Sequence, residues 1–234
     1  MKSYGQFCPV AKAAELFCER WTALIIRDLA AGASRFSELH KGVPLMSPTL
    51  LSRRLKQLEA EGIVERRKGG SRPRYHLTAA GEEFVPLVEA LGVWGQRWSR
   101  RELIDEEVDL GLLLWALERG VDASVYGPGR MVIMLQFTDQ SKGKRQWWLV
   151  NCDGSCELCV HDPGFEVDLY LSCTLPDMIY IARGDLPLNQ AIGSERLEVI
   201  GDRKLARKLP AWFNLGPITA VKSQRPALSA AMTD

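Results

Sequence analysis

The sequence predicts an α+β protein in two unlike parts. A basic, helical first part ends in a two-stranded hairpin, and an acidic second part sets an antiparallel sheet among helices. Three observations predict this. Residues 1–101 carry 17 Lys and Arg against 10 Asp and Glu, a net of +7, while residues 102–234 carry 13 against 19, a net of −6, so the +1 of the whole chain conceals a split. Apolar residues recur at helical spacing through the first part and alternate, as in strands, between residues 129 and 174. At 234 residues, 46% hydrophobic and 25% charged, the composition is that of a globular chain of one or two domains with a real core.

From the amino end, one helix is expected from about Val10 to Phe17 and a second from Trp21 to Ala31, where Leu24, Ile25 and Leu29 are apolar and Gly32 is the stop. In "ASRFSELHKGV" a short helix capped by Ser34 turns Phe36 and Leu39 inward, and a turn with Gly42 and Pro44 follows. The next stretch, "SPTLLSRRLKQLEAEG", is strongly marked. Ser47 can accept from an orphan N–H, and Pro48 at the first helical position loses nothing by lacking one. Leu51, Leu55 and Leu58 share one face, and Gly62 supplies a left-handed stop. At about 100° per residue, Thr49, Arg53, Lys56 and Gln57 project oppositely, with Leu50 and Arg54 on the flanks. Such a face is often merely solvated.

The residues after it change that balance. In "IVERRKGGSRPRYHL", apolar Ile63, Val64, Tyr75 and Leu77 frame a Gly69-Gly70 turn, and Arg66, Arg67, Lys68, Arg72 and Arg74 make the hairpin basic. Helix, turn, helix and basic hairpin is the winged helix-turn-helix order, whose second helix enters the major groove. Lys41 to Tyr75 holds nine basic residues and three acidic ones, an electrostatic footprint for phosphate. Thr78 then caps a long helix in which Phe84, Leu87, Leu91, Trp94 and Trp98 recur at three and four, with Pro86 marking a kink or a late start. This apolar series predicts a dimer interface; packing against the second part is the alternative.

Residues 7 to 98, with the Cys-Pro opening, "RFSEL", "SPTLLSRRLKQLE" and "YHLTAAG" in order, resemble the HxlR-type winged helix regulators. The resemblance implies a homodimeric DNA-binding regulator, a repressor by expectation, on a palindromic or pseudo-palindromic operator in double-stranded DNA. The expected DNA-binding set is Arg35, Ser47, Thr49, Leu50, Arg53, Arg54, Lys56, Gln57, Arg67, Lys68, Arg72 and Arg74. Arg53 can fork onto a guanine, Thr49 can meet a base edge or thymine methyl, and Arg67, Lys68, Arg72 and Arg74 would hold phosphates. Cys8 precedes a helix N-terminus, and some relatives of this type sense oxidants through a cysteine in that place, which makes it a redox candidate.

The second part begins with "EEVDLGLLLWALERGV", a helix containing Leu112, Leu113, Trp115 and Ala116. Strand-like "GRMVIMLQF", "KRQWWLVNC", "SCELCVHD" and "VDLYLSCT" follow, with Asp153-Gly154 as a hairpin signal. After Pro176 come helical "DMIYIARG" and "LPLNQAIG", a strand "RLEVIG" and a helix "RKLARKLPAWF" with Leu205, Leu209 and Trp212. From about Asp105 to Phe213 this order resembles the sterol carrier protein type two-like fold. The resemblance implies a cavity that holds an apolar small-molecule effector without covalent chemistry, lined by Trp115, Met134, Trp148, Tyr170, Met178 and Trp212; each can equally be core. The expected divisions are a DNA-binding and dimerisation domain over 1–101, a ligand domain over 105–215 and a tail over 216–234.

Cys152, Cys156, Cys159 and His161 invite a zinc reading, but alternation along a strand would send Cys156 and Cys159 to opposite faces, and no metal or cofactor is expected. His40, His76 and His161 are scattered, and no nucleophile elbow or phosphate loop occurs, so no enzyme is expected. No apolar run nears the ~20 residues that span a membrane, and "MKSYGQFCPVAK" lacks a signal core, so the expectation is a cytoplasmic protein with no membrane partner. A lipid carrier docked by a basic domain is a further reading.

Overall fold

A computed structural model of the chain describes residues 3–68, 72–213 and 216–224. The chain divides into two compact units, Met1–Gly92 and Val93–Asp234.

The first unit runs α1 (Pro9–Phe17), α2 (Thr22–Ala30), α3 (Phe36–Gly42), α4 (Pro48–Ala60), β1 (Val64–Arg67), β2 (Arg74–Leu77), α5 (Ala79–Glu82) and the start of α6 (Val85–Trp94). Ile25, Ile26, Leu39, Leu51, Leu55 and Leu58 form its interior. β1 and β2 pair antiparallel from Val64 opposite Leu77 to Arg67 opposite Arg74. The expected Gly69-Gly70 turn lies outside the described residues.

Two local expectations change. Arg35, not Ser34, is the cap residue of α3. The Glu38 carboxylate accepts from the backbone N–H groups of Ser34 and Arg35 at 2.8 and 2.9 Å, so the acid of the first turn satisfies the helix start and no serine hydroxyl is needed. Thr78 caps only the four residues of α5, its Oγ1 accepting from Gly81 N–H at 3.2 Å. The helix ends at Glu82 and restarts at Val85 as α6, the late-start alternative for Pro86, which has no N–H to give the Glu82 carbonyl and whose ring would crowd that oxygen.

A buried carboxyl group joins α2 to α3. Asp28 is fully buried, and a Cβ added at Gly42 would lie 2.0 Å from its Oδ2. Arg27 donates from Nε to Asp28 Oδ1 at 2.8 Å and from Nη2 to the Gly42 carbonyl at 3.1 Å. Only glycine permits this approach, which sets where the chain leaves α3 toward α4.

The second unit continues through a π-helical turn (Gly95–Ser99), a 3-10 turn (Asp105–Glu107), α7 (Leu110–Gly120) and a 3-10 turn (Ala123–Tyr126). Strands β3 (Arg130–Phe137), β4 (Gln146–Cys152), β5 (Ser155–Cys159) and β6 (Leu169–Cys173) follow, then α8 (Leu175–Ala182), α9 (Leu188–Gly193), β7 (Leu197–Gly201), α10 (Arg203–Ala206), α11 (Leu209–Trp212) and a 3-10 turn (Pro217–Ala220). The sheet order is β5-β4-β3-β6-β7. Three pairings are antiparallel, and the central β3–β6 pair is parallel, the one departure from a purely antiparallel sheet. Asp153 and Gly154, at φ 48° and 81°, form the tight turn between β4 and β5.

Ile133, Leu135, Leu149, Leu169 and Leu171 on one sheet face pack against Leu113 and Leu117 of α7, Met178 of α8 and Trp212 of α11. A polar tie lies within that core: the Trp212 indole N–H donates to Asn151 Oδ1 at 2.8 Å, and Asn151 Nδ2 donates to the Met131 carbonyl at 3.3 Å. The expected single helix "RKLARKLPAWF" is split into α10 and α11 ahead of Pro210. Among the described residues no helix is long and apolar enough to cross a membrane.

Gly42→Ala is expected to destabilise the first unit by about 1–3 kcal/mol through overpacking against Asp28. Thermal unfolding measures this, and a wild-type melting temperature would contradict the described contact.

Candidate nucleic-acid interface and ligand cleft

The geometry of α4 follows from its inner face. Leu51, Leu55 and Leu58 are buried, Ser47 Oγ accepts from Leu50 N–H at 3.3 Å, and Gly62 at φ 71° ends the helix. Thr49, Arg53 and Lys56 are consequently exposed, and with Pro48 and half-buried Ser52 they line one shallow depression of about 510 Å³. Ser47 is exposed, and Leu50 and Gln57 are half-buried on its margins. Ser52 was not among the expected residues, although its place three residues after Thr49 is the spacing that marks a shared face.

Arg54 departs from its expected place on the flank. It is 7% exposed, donating from Nη2 to Glu19 Oε2 at 2.7 Å and from Nη1 to Gln57 Oε1 at 2.9 Å. Lying three residues after Leu51 and four before Leu58, it falls on the buried arc, where its long stem covers apolar surface. The hydrogen bond from Arg54, and then its charge, hold the Glu19 carboxyl below the usual 4.5.

The hairpin adds a cluster of arginines. Arg67 of β1 lies directly opposite Arg74 of β2, and Arg35 bridges to Arg74 from the other side, with Tyr75 N–H donating to the Ser34 carbonyl at 2.7 Å. Arg67 is bonded to Glu65, Arg35 stands 3.9 Å from Glu38, and Arg74 makes no ion pair among the described residues. Like charges set side by side repel, and an anion between them reverses that cost. Lys68 and Arg72 are exposed at the ends of the arms.

The apolar series on α6 has a different environment from the core. Phe84 stacks on Phe17 at 5.4 Å, whereas Leu87 and Leu91 are 53% and 48% exposed, and Trp94 and Trp98 of the second unit are 57% and 43% exposed. None of the residues of α6 is buried.

In the second unit the six residues expected around a ligand do not meet at one cavity. Met178 and Trp212 are fully buried in the core. Trp148, Met134 and Tyr170 stand side by side across β4, β3 and β6 on the face opposite that core, and Trp115 lies on α7 beneath the Arg119 guanidinium. A cleft of about 540 Å³ opens instead between α7 and α8, walled by Leu112, Leu113, Ala116, Ile179 and Ala182, with Arg183, Glu107 and Asp109 as its charged lining and Ile218 from the turn Pro217–Ala220. Its uncharged walls are small and aliphatic, and among the described residues it has no aromatic lining.

Cys8 is the cap residue of α1 and is half-buried. Burial pushes the Cys156 thiol up to about 12 and also raises Cys159. Among the described residues no three His, Cys, Asp or Glu side chains are grouped to hold a metal ion.

Residues 16–103 match the HxlR-like helix-turn-helix family, and residues 131–214 match the SCP-2 sterol transfer family. The uncharacterized HTH-type transcriptional regulator YvaP of Bacillus subtilis is 36% identical over 105 residues, covering 43% of this chain and 97% of YvaP. The uncharacterized HTH-type transcriptional regulator sll1512 of Synechocystis is 34% identical over 101 residues, covering 42% of this chain and 75% of sll1512. The solved reduced form of the transcriptional regulator YodB from B. subtilis is 33% identical, covers 39% of this chain and 93% of YodB, and has a TM-score of 0.35.

Replacing Arg54 by Met is expected to cost about 1.5–3 kcal/mol by removing charge-assisted hydrogen bonds. Because Glu19 titrates lower folded than unfolded, its contribution is complete above pH 4.5 and is lost as pH falls through the depressed value. Urea unfolding across that window should show the acid-dependent loss in the wild type and a smaller one in Arg54→Met.

Proposed function

The chain belongs to the HxlR-like helix-turn-helix family of transcriptional regulators, and on that premise we propose how it binds DNA and is controlled. It binds a palindromic or pseudo-palindromic operator as a homodimer and represses by occupying it, and an apolar small molecule in the second unit modulates that binding. The site of action is the cytoplasm, where the operator is.

The observation that carries this reading is the outward face of α4, Thr49, Ser52, Arg53 and Lys56, in a unit that also bears Arg35, Arg67 and Arg74 side by side. In the reading, Arg53 forks onto guanine O6 and N7, while Thr49 and Ser52 meet base edges. Arg35, Lys56, Arg67, Lys68, Arg72 and Arg74 hold phosphates, the backbone contacts that set register. Ser47, Leu50 and Gln57 frame the helix at the groove, and Arg54 acts inward through Glu19. The exposed Leu87 and Leu91 support a two-fold contact through α6, since so apolar a helix face is costly in water. Two copies must then set their α4 helices about 34 Å apart. The cleft beside α7 and α8 falls within the range of roughly 300–1,000 Å³ usual for small-molecule sites.

Arg53→Ala is expected to cost about 1–3 kcal/mol on the cognate site and to relax base preference. Arg72→Ala should weaken all sequences similarly and reduce the salt slope by about one. Anisotropy titrations with the gene's own upstream DNA and a scrambled duplex measure both, and equal loss of selectivity in the two variants would contradict the division. Leu91→Glu is expected to sediment as a monomer with weakened operator binding; an intact dimer would remove α6 from the interface.

A further inference from the structure

We propose that residues 96–103 are the output arm of the ligand cleft: Gln96 and Arg100 grip the carboxyl end of α8, and a ligand wedged between α7 and α8 alters that grip and with it DNA affinity. This inference rests on the reading that the cleft holds the effector.

The contacts converge on one helix end. The Arg183 carbonyl, at the close of α8, accepts from Gln96 Nε2 and from Arg100 Nη2, each at 2.8 Å. The Arg100 guanidinium is also paired with Asp185, whose other oxygen lies 3.1 Å from Arg183 Nε. Arg183 Nη2 donates back to the Arg101 carbonyl at 3.2 Å, and the Leu103 N–H donates to the Tyr180 hydroxyl at 3.3 Å. A cation and an amide thus cap the negative end of α8, a favourable placement, and the Arg100 side chain is only 8% exposed there.

The same helix end is a wall of the cleft. Ile179, Ala182 and Arg183 line it, and so does Leu103 of the arm itself. A ligand that separates α7 from α8 therefore bears on residues within one turn of the gripped carbonyl. The turn Pro217–Ala220 presses on this end as well, since a Cβ at Gly184 would lie 2.3 Å from the Thr219 carbonyl oxygen. Its continuation is tied to the arm where Gln224 N–H donates to the Arg97 carbonyl at 2.8 Å.

The arm is also placed to transmit. It follows α6 through the π-helical turn Gly95–Ser99, a wide turn of the kind that recurs at functional sites. Packed helices shift by about 1–2 Å in allosteric transitions rather than deforming continuously. A shift of α8 is passed to the arm by its two side-chain donors and reaches α6 along the chain. Arg100 and Gln96 do not line the cleft, so grip and occupancy are separable.

The test uses the full chain, the fluorescent fatty acid 11-(dansylamino)undecanoic acid as probe, and labelled operator DNA. Wild type is expected to bind the probe and to change its DNA affinity at least fivefold when it does. Ala116→Trp, which fills the cleft, should block the probe. Arg100→Ala should keep probe affinity within about twofold while the probe-dependent change in DNA affinity falls below twofold. Gln96→Ala, which leaves the Arg100–Asp185 pair, should lose part of that change and decides the matter if Arg100→Ala does not fold by circular dichroism. Probe binding blocked by Ala116→Trp, with the full DNA response retained in the arm variants or absent from wild type, overturns the arm and leaves the cleft. Failure of the probe to bind, or binding that survives Ala116→Trp, overturns the cleft reading and the arm with it.

Discussion

The first unit depends on the burial of one face of α4. Leu51, Leu55 and Leu58 fix the rotation of the helix about its axis, and the Arg54–Glu19 pair anchors the same arc to the turn between α1 and α2. A helix so held has no freedom to choose which side chains it shows: Thr49, Ser52, Arg53 and Lys56 face outward because the leucines face inward. Upstream, the close fit of Gly42 on buried Asp28 sets the departure of the chain from α3. The polar outer face is thus positioned by apolar burial and one half-buried ion pair, and changes deep in the unit would be felt at the surface.

In the second unit, bulk and opportunity are separated. Phe137, Met178 and Trp212 fill the interior, where Trp212 is held both by packing and by Asn151, so they are committed to stability. Open volume is left between α7 and α8, where Ala116, Ala182 and aliphatic residues face one another. Beside that volume, the carboxyl end of α8 is held by one amide and one guanidinium, those of Gln96 and Arg100.

Much of this was legible in the sequence. The caps and stops of α4, the two arms of the hairpin, the Asp153-Gly154 turn and the helix-then-sheet order of the second part are local signals, written in Ser-Pro, Gly and alternating residues. What escaped depends on distant partners. The spacing of Arg54 from Leu51 and Leu58 puts it near the buried arc, but its partner Glu19 lies 35 residues away and no local pattern names it. The parallel pairing of β3 with β6 joins strands separated by a whole hairpin, and no local pattern encodes it. The cleft was missed because its walls come from α7, α8 and the turn near residue 218, each unremarkable alone. Ser52 was the one omission that spacing alone could have supplied.

The central claim is that the outer face of α4 meets base edges, and position-specific photocrosslinking tests it most directly. With p-benzoylphenylalanine in place of Ser52 in the full chain on its operator, the account expects crosslinks to bases in two half-sites about 34 Å apart. The same probe in place of Glu157, exposed on β5 of the acidic unit, is expected to give none. Crosslinks from position 157, with none from position 52, would contradict the account.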